Sequence, residues 1–362
     1  MEQPVLIRVA LISLIGQMLM ACVPAAIPPV PVSVSHSPLY NQGHCSSRFV
    51  AHDLPHVTAA AVDRVAYFIS NGAGLAANDL DQDGDIDLVL ANLFGPNHIF
   101  WNEGGWHFRP EVLFQGSARA VTIVDVDGDG WLDIIFTMRI GSIRFWRNTS
   151  TGNQGNVDQF AEERLPGIQG YAYAMNWGDL DADGDLDLVT ASYDASLEKQ
   201  LGEYALQASG QAGVYVYENE SGSFVPTRLT TRSQALALQL FDVDRDGRLD
   251  IIVGNDFDVP DQVWLSKLAG WELSSPFPIT THSTMSFEAG DVNNDGSLEL
   301  FAADMHPYSV APEIMNQWQP VYLTAQYDFP RRSFPRLCER NYDSTRALAG
   351  PWGSQVLRSF PL

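Results

Sequence analysis

Five nine-residue segments carry most of the chemistry this sequence can do. They begin at Asp79, Asp125, Asp179, Asp242 and Asp291, and all fit D-φ-[DN]-x-D-G-x-φ-[DE], with φ apolar. Oxygen ligands fall at positions one, three, five and nine. In the first segment these are Asp79, Asp81, Asp83 and Asp87, and in the second Asp125, Asp127, Asp129 and Asp133. The third supplies Asp179, Asp181, Asp183 and Asp187, the fourth Asp242, Asp244, Asp246 and Asp250, and the fifth Asp291, Asn293, Asp295 and Glu299. Position seven, held by Asp85, Trp131, Asp185, Arg248 and Ser297, can add its backbone carbonyl. A site of several hard carboxylate oxygens with no nitrogen or sulfur suits Ca2+ and not Zn2+. Up to five ions are expected. Glycine at position six (Gly84, Gly130, Gly184, Gly247, Gly296) lets the chain turn sharply. The apolar residues at positions two and eight are expected to point into a core and pin both ends of the loop.

EF-hand loops also open D-x-D-x-D-G, but they need an acid at position twelve and a helix on each side. Position twelve here is Leu90, Phe136, Thr190, Val253 and Ala302, none of which chelates. The flanking runs, such as Ile134-Ile135-Phe136 and Ile251-Ile252-Val253, are short, apolar and β-branched, and predict buried strands.

The 362 residues carry a formal charge of −23. The successive loops hold five, four, five, four and three acids, 21 of the 44 in the chain. Five bound Ca2+ would bring the charge to −13, so the acidity is largely local to the loops. The remainder still argues against nucleic acid, whose phosphates need a basic face. No H-E-x-x-H, G-x-S-x-G or glycine-rich phosphate loop is present. Paired carboxylates could imitate a glycosidase. Their recurrence in every repeat fits ion binding better, and no catalytic constellation is found.

The elements that must hold these loops also repeat. Loop starts are spaced by 46, 54, 63 and 49 residues, a period that points to a propeller or solenoid. Each unit shows four strand signals. One precedes the loop, as in 118–124, and one follows it. A third is aromatic and alternating, as in Ile143-Arg144-Phe145-Trp146. A fourth opens on an aromatic: Phe108, Phe160, Phe224 or Trp271. Four antiparallel strands per unit make a propeller blade. The fold class is therefore all-β.

On these loops and strands, residues 48–304 resemble the FG-GAP/VCBS repeat family, to which the integrin α-chain propellers belong. The resemblance implies a β-propeller with Ca2+ held in the hairpin between the first two strands of each blade, by the loop positions named above. The fifth loop, with Asn293 and Glu299, departs most from the pattern. Phe49–Leu54 matches the fourth-strand pattern without strands before it. It is expected to close the fifth blade beside residues 298–304, with 321–324 a candidate third strand. Family members often have seven blades, so the alternatives are a closed five-bladed ring and an incomplete seven-bladed one.

Outside 45–325 the chain changes character. Residues 1–22 read as an export signal, with Arg8 before an apolar run from Val9 to Met20. It ends Leu19-Met20-Ala21-Cys22, which resembles the bacterial lipobox and makes Cys22 the lipidation residue. By the same resemblance, Val23 implies outer-membrane or surface placement; a secreted or periplasmic protein is the alternative. The membrane would be met through this anchor alone. Residues 23–44 are a Pro-rich tether. Residues 326–362 match no repeat and invert the local charge with six arginines against three acids. Cys45 and Cys338 flank the repeats as a possible disulfide pair or two free thiols. An insertion at 192–212 has helical spacing through Leu197, Leu201, Tyr204 and Ala205, and a second lies at 305–319. Trp131 and Trp177 could stack on sugars, although core burial is the default for aromatics.

The expectation is an exported, Ca2+-binding propeller acting as a cell-surface binding, adhesion or scaffold module for a protein or glycan ligand. The alternatives are a carbohydrate-binding propeller and a Ca2+-dependent polysaccharide-degrading enzyme.

Overall fold

The computed structural model describes residues 51–58, 72–152, 155–256, 259–277, 283–291, 298–304 and 356–360. All lie in the second of two compact units but for Ala51, the last residue of the first. The signal, Cys22, the tether, Cys45, Cys338, the 305–319 insertion and the 321–324 strand candidate fall outside the described residues, as do Asn293, Asp295 and Ser297.

Among the described residues, four sheets of four antiparallel strands and one of three make up the fold. Sheet one holds β1 (Leu75–Asn78), β2 (Asp87–Leu90), β3 (Pro96–Asn102) and β4 (Phe108–Gln115). Sheet two holds β5 (Ala118–Val124), β6 (Asp133–Met138), β7 (Arg144–Asn148) and β8 (Phe160–Glu163). Sheet three holds β9 (Ala174–Gly178), β10 (Asp187–Ala191), β11 (Val214–Glu220) and β12 (Ser223–Thr230). Sheet four holds β13 (Ala235–Phe241), β14 (Asp250–Asn255), β15 (Gln262–Lys267) and β16 (Gly270–Ser274). Sheet five holds β17 (Thr284–Gly290), β18 (Glu299–Asp304) and β19 (Val356–Phe360). Each sheet is a meander in chain order, and the first strands of successive sheets lie side by side.

The cores lie between sheets. Ile134 and Phe136 of β6 face sheet one, against Val89, Ile99 and Trp101. Ile135, on the other face, joins Leu188, Tyr215 and Tyr217 of sheet three. A second strand buried on both faces must be apolar throughout, which explains the unbroken hydrophobic runs after each loop. Among the described residues, no helix is long and apolar enough to cross a membrane.

Three expectations are corrected. First, Ala51–Leu54 form no strand. The His52 ring stacks on Trp106 at 5.2 Å, and His56 packs edge-on to His98 and Phe100, so the segment covers sheet one. The third strand of sheet five is β19, taken from the basic tail, and it pairs with β18 from Leu300↔Phe360 to Asp304↔Val356. Second, the 192–212 insertion is two helices, α1 (Asp194–Leu201) and α2 (Glu203–Ser209), broken at Gly202 with φ +86°. The break resets the helical phase. Leu197 and Leu206 are buried together, while Tyr204 is 85% exposed and Ala205 is also exposed. Third, position eight does not pin the loops uniformly. Position two is buried in the first four loops (Leu80, Val126, Leu180, Val243), but Ile86 and Leu298 at position eight are about half exposed. Leu132 packs back against sheet one, whereas Ile86 joins no such cluster among the described residues.

Candidate metal centres

Each acidic loop joins the first and second strands of its sheet. Position nine opens the second strand and pairs with the residue just before position one: Asp87↔Asn78, Asp133↔Val124, Asp187↔Gly178, Asp250↔Phe241 and Glu299↔Gly290. The hairpin therefore closes in the same register five times.

Inside the first four loops the hydrogen bonding also repeats. One oxygen of position one (Asp79, Asp125, Asp179, Asp242) accepts the position-five N–H at 3.0–3.2 Å. Its other oxygen accepts the N–H of the position-six glycine at 2.9–3.2 Å. Those glycines have φ of +87° to +99°, a region that favours glycine for want of a Cβ. Position four is left-handed as well, with Gln82, Gly128, Ala182 and Arg245 at φ of +60° to +70°, a strain no sequence pattern announces. Position five accepts from position seven: Asp83 from Asp85, Asp129 from Trp131, Asp183 from Asp185 and Asp246 from Arg248.

Position nine plays a second part that the sequence did not reveal. One oxygen accepts the N–H of position two at 2.7–3.0 Å. The other accepts, at 2.8 Å in every case, the N–H of a third-strand residue: Asn102, Asn148, Asn219 or Ser266. The three asparagines also donate their amides to the position-eight carbonyls of Ile86, Leu132 and Leu186. The signal was an asparagine 15 residues after position nine in the first two repeats. The helical insertion stretches that offset to 32 in the third.

Asp87, Asp133, Asp187 and Asp250 are at most 1% exposed. Burial lifts their carboxyls above the usual range, to about 6 for Asp87 and Asp187 and about 7 for Asp133, with Asp250 raised likewise. The backbone donors oppose this rise and the neighbouring loop carboxylates add to it.

Carboxylate oxygens of Asp79, Asp81 and Asp87 lie within 4.8 Å of one another, as do those of Asp125, Asp127 and Asp133 and of Asp179, Asp181 and Asp187. In the fourth loop the tight cluster is Asp242, Asp244 and Asp246, with position five in place of position nine. Position five of the first three loops stands outside these triplets. In the fifth loop Asp291 is half-buried and Glu299 8% exposed. The donors fit Ca2+: hard oxygens, left free on one lone pair each after backbone bonding. Asp185 adds an independent sign. Its Oδ1 is buried without a hydrogen-bond partner among like charges, an arrangement a cation would relieve.

The four loops differ in their bases. Arg147 pairs with Asp127 at 2.5 Å and lies 3.4 Å from Asp129. Lys267 pairs with Asp244 and lies 3.6 Å from Asp246, which Arg248 also contacts. Among the described residues, no base pairs with a carboxylate of loop one or three. Of the candidate sugar-stacking residues, Trp177 packs edge-on to Phe224 in the core, and Trp131 is half-buried.

A family model for the FG-GAP-like repeat matches residues 79–136, 125–190 and 242–302, spans that include all five loops. The chain belongs to the FG-GAP-like repeat family. It is 22% identical over 307 residues to mouse cartilage acidic protein 1, covering 63% of this chain and 47% of that protein. Against the human protein it is 29% identical over 178 residues, 44% of this chain and 26% of the relative. The chain thus spans less than half the length of these curated relatives. Among solved structures it is similar to BBS1N in complex with ARL6DN, at TM-score 0.35, 14% identity and coverage of 60% and 57%. It is also similar to the V. cholerae biofilm matrix protein Bap1, at TM-score 0.34, 18% identity and coverage of 66% and 36%.

Proposed function

We propose that this FG-GAP-like repeat chain is an exported, Ca2+-stabilised β-propeller serving as a binding, adhesion or scaffold module at a cell surface. Its blades are the four-stranded sheets, and their first strands form the inner row. The observation that carries the reading is the loop itself: four copies share one hydrogen-bond pattern, and in three of them the same positions one, three and nine cluster their carboxylates. A recurring site of that kind suits ions that hold a scaffold together, whereas a catalytic site would be singular. Positions one and three, with nine or five, would hold each Ca2+. It would offset the repulsion of crowded carboxylates and tie the hairpin to the third strand through position nine. The partner is a protein or glycan ligand, not nucleic acid, and Cys22 carries a lipid anchor.

Two measurements test this. Calorimetric titration of the chelated protein with Ca2+ should show several sites, and no heat of binding would refute ion holding. Labelled palmitate should enter the protein in a bacterial host and be lost in Cys22→Ser; labelling at background in both would refute the anchor.

A further inference from the structure

Sheet one turns an apolar face away from sheet two. Two rows cross it in register: Leu75, Leu90, His98 and Val112, and beside them Ala77, Leu88, Phe100 and Pro110. Residues directly opposite on neighbouring strands share a face. Val89, Ile99 and Trp101 alternate with these and pack toward sheet two. Leu75 and Val112 are about half exposed, whereas Phe100 is fully buried. The segment 51–58 lies over that part of the face. Its His52 ring stacks on Trp106, its Val57 carbonyl accepts the Asn92 amide at 2.9 Å, and its His56 ring meets His98 and Phe100 edge-on, with centroids at 5.3 and 6.1 Å.

The histidine pair is the contact that pH can change. Nδ1 of His56 lies 3.1 Å from Nδ1 of His98, and Nε2 of His56 is buried with no hydrogen-bond partner. One Nδ1 must donate and the other accept. If His56 accepted, its own proton would sit on Nε2, a buried N–H with nothing to bond, which is the costlier defect. The arrangement that avoids this has both rings neutral, with His56 donating from Nδ1 and His98 accepting. Such a pair has no place for a further proton. One on His98 Nδ1 sets two donors against each other, and one on His56 Nε2 buries a cation without a partner.

No nearby carboxylate offsets that cost among the described residues. The two rows hold no charged residue, and the segment's own His52 and Asp53 are exposed. Arg109 and Glu111 of β4 alternate to the opposite face, where Glu111 accepts the Trp101 indole N–H. In the turn between β3 and β4, Glu103 is engaged by His107 and Arg109. Burial lowers the pKa of both rings, and His56 lowers that of His98 further.

We propose that His56 and His98 form an acid-released latch, which holds residues 51–58 on sheet one at neutral pH and frees them as the pair is protonated, uncovering Phe100 and its apolar row. The sign follows from proton linkage. The docked pair excludes protons that the free segment binds at the ordinary histidine value of about 6.5, so docking is strongest at pH 7 and weakens as pH falls below that value. For a histidine kept wholly neutral while docked, the released-to-docked ratio rises about 25-fold from pH 7 to pH 5.

The test uses the full chain in saturating Ca2+, so that the acidic loops stay loaded, with labelled histidine and phenylalanine for NMR. Ring shifts give the titration of His56 and His98, and the cross-relaxation between the His56 and Phe100 rings reports docking. Both histidines should titrate below about 6.5, and the released-to-docked ratio should rise at least ~10-fold between pH 7 and pH 5. His56→Phe keeps a ring against Phe100 but binds no proton, so its ring contact should persist at pH 5. If that ring does not seat at pH 7, His98→Asn decides, because its amide oxygen can accept in place of Nδ1 without titrating. A pH response cut to that of one histidine is then expected, and an unchanged response would refute the latch. A contact that survives at pH 5 in the parent chain, either histidine titrating at or above the ordinary value, or equal release in His56→Phe and the parent would overturn the proposal.

Discussion

Loops one and three form one class, and loops two and four another. The first class has five carboxylates each, because Asp85 and Asp185 add an acid at position seven. No basic side chain pairs with them among the described residues. The second class has four, with Trp131 or Arg248 at position seven. Its carboxylates already hold Arg147 in loop two, and Lys267 and Arg248 in loop four. Backbone geometry is the same in both classes, down to the left-handed turns at positions four and six. The lesson is that one loop fold can be balanced by a mobile ion or by a resident cation. On the proposed reading, loops one and three would depend on the ion. Loops two and four carry part of the compensation in the chain.

The largest expected effect cuts across both classes. Asp133→Ala removes the acceptor for two N–H groups, those of Val126 and Asn148. At about 1–3 kcal/mol for each buried group left unbonded, the cost is ~2–6 kcal/mol. Asp181→Ala, at position three, should cost chiefly the ion's contribution, ~1.4 kcal/mol for a site of Kd ~0.1 mM in ~1 mM Ca2+, because the Asp183 N–H it accepts is also held by Asp179. Urea unfolding of both variants with and without Ca2+ separates the two roles. Equal costs would show that position nine is a ligand and nothing more.

A smaller effect sharpens the class difference. Arg147→Ala should raise Ca2+ affinity at loop two, since the resident cation no longer competes. The pair is partly exposed, at 39% and 31% for the two side chains, so ~0.5–1 kcal/mol is expected, about two- to five-fold in Kd. Unchanged affinity in a Ca2+ titration would dissolve the distinction.

The smallest effect concerns pH. Without metal, Asp87 and Asp187 have raised carboxyl pKa values of about 6, and Asp133 about 7. The folded state then binds more protons than the unfolded chain, whose carboxyls titrate near 4. Apo stability should therefore rise as pH falls from 7 towards 5. With Ca2+ bound the carboxylate form is favoured, and the slope should reverse. Melting temperatures across that range in EDTA and in Ca2+ check the sign.

Much of this was legible in the sequence. The loop positions, the glycine at six, the strand at Ala118–Val124 and the apolar second strands each follow from a local rule that one residue type satisfies. Missed were features set by distant partners. Asn148 matters because its N–H meets Asp133 across a sheet and its amide reaches the Leu80 carbonyl of another repeat, 68 residues away. Ile86 and Leu132 occupy the same loop position but differ in burial: Leu132 packs on sheet one, whereas Ile86 and Leu298 are about half exposed. Phe49–Leu54 matched a strand pattern, yet the described part of it follows His52 and His56 onto the rings of sheet one. Short apolar runs share one pattern, and tertiary neighbours decide where each goes.

The central claim is that ions hold the hairpins in place. Two like charges ~4–5 Å apart at an effective dielectric of ~20 repel by roughly 3–4 kcal/mol, and each loop crowds several. Loops one and three together should therefore contribute ~3 kcal/mol of Ca2+-dependent stability under the conditions given above. Scanning calorimetry in millimolar Ca2+ and in excess EDTA, with hydrogen exchange at the loops, reads this directly. A marked fall in melting temperature on chelation is predicted, with faster exchange at residues 79–87 and 179–187 than at 125–133 and 242–250. The same melting profile in both conditions would contradict the account.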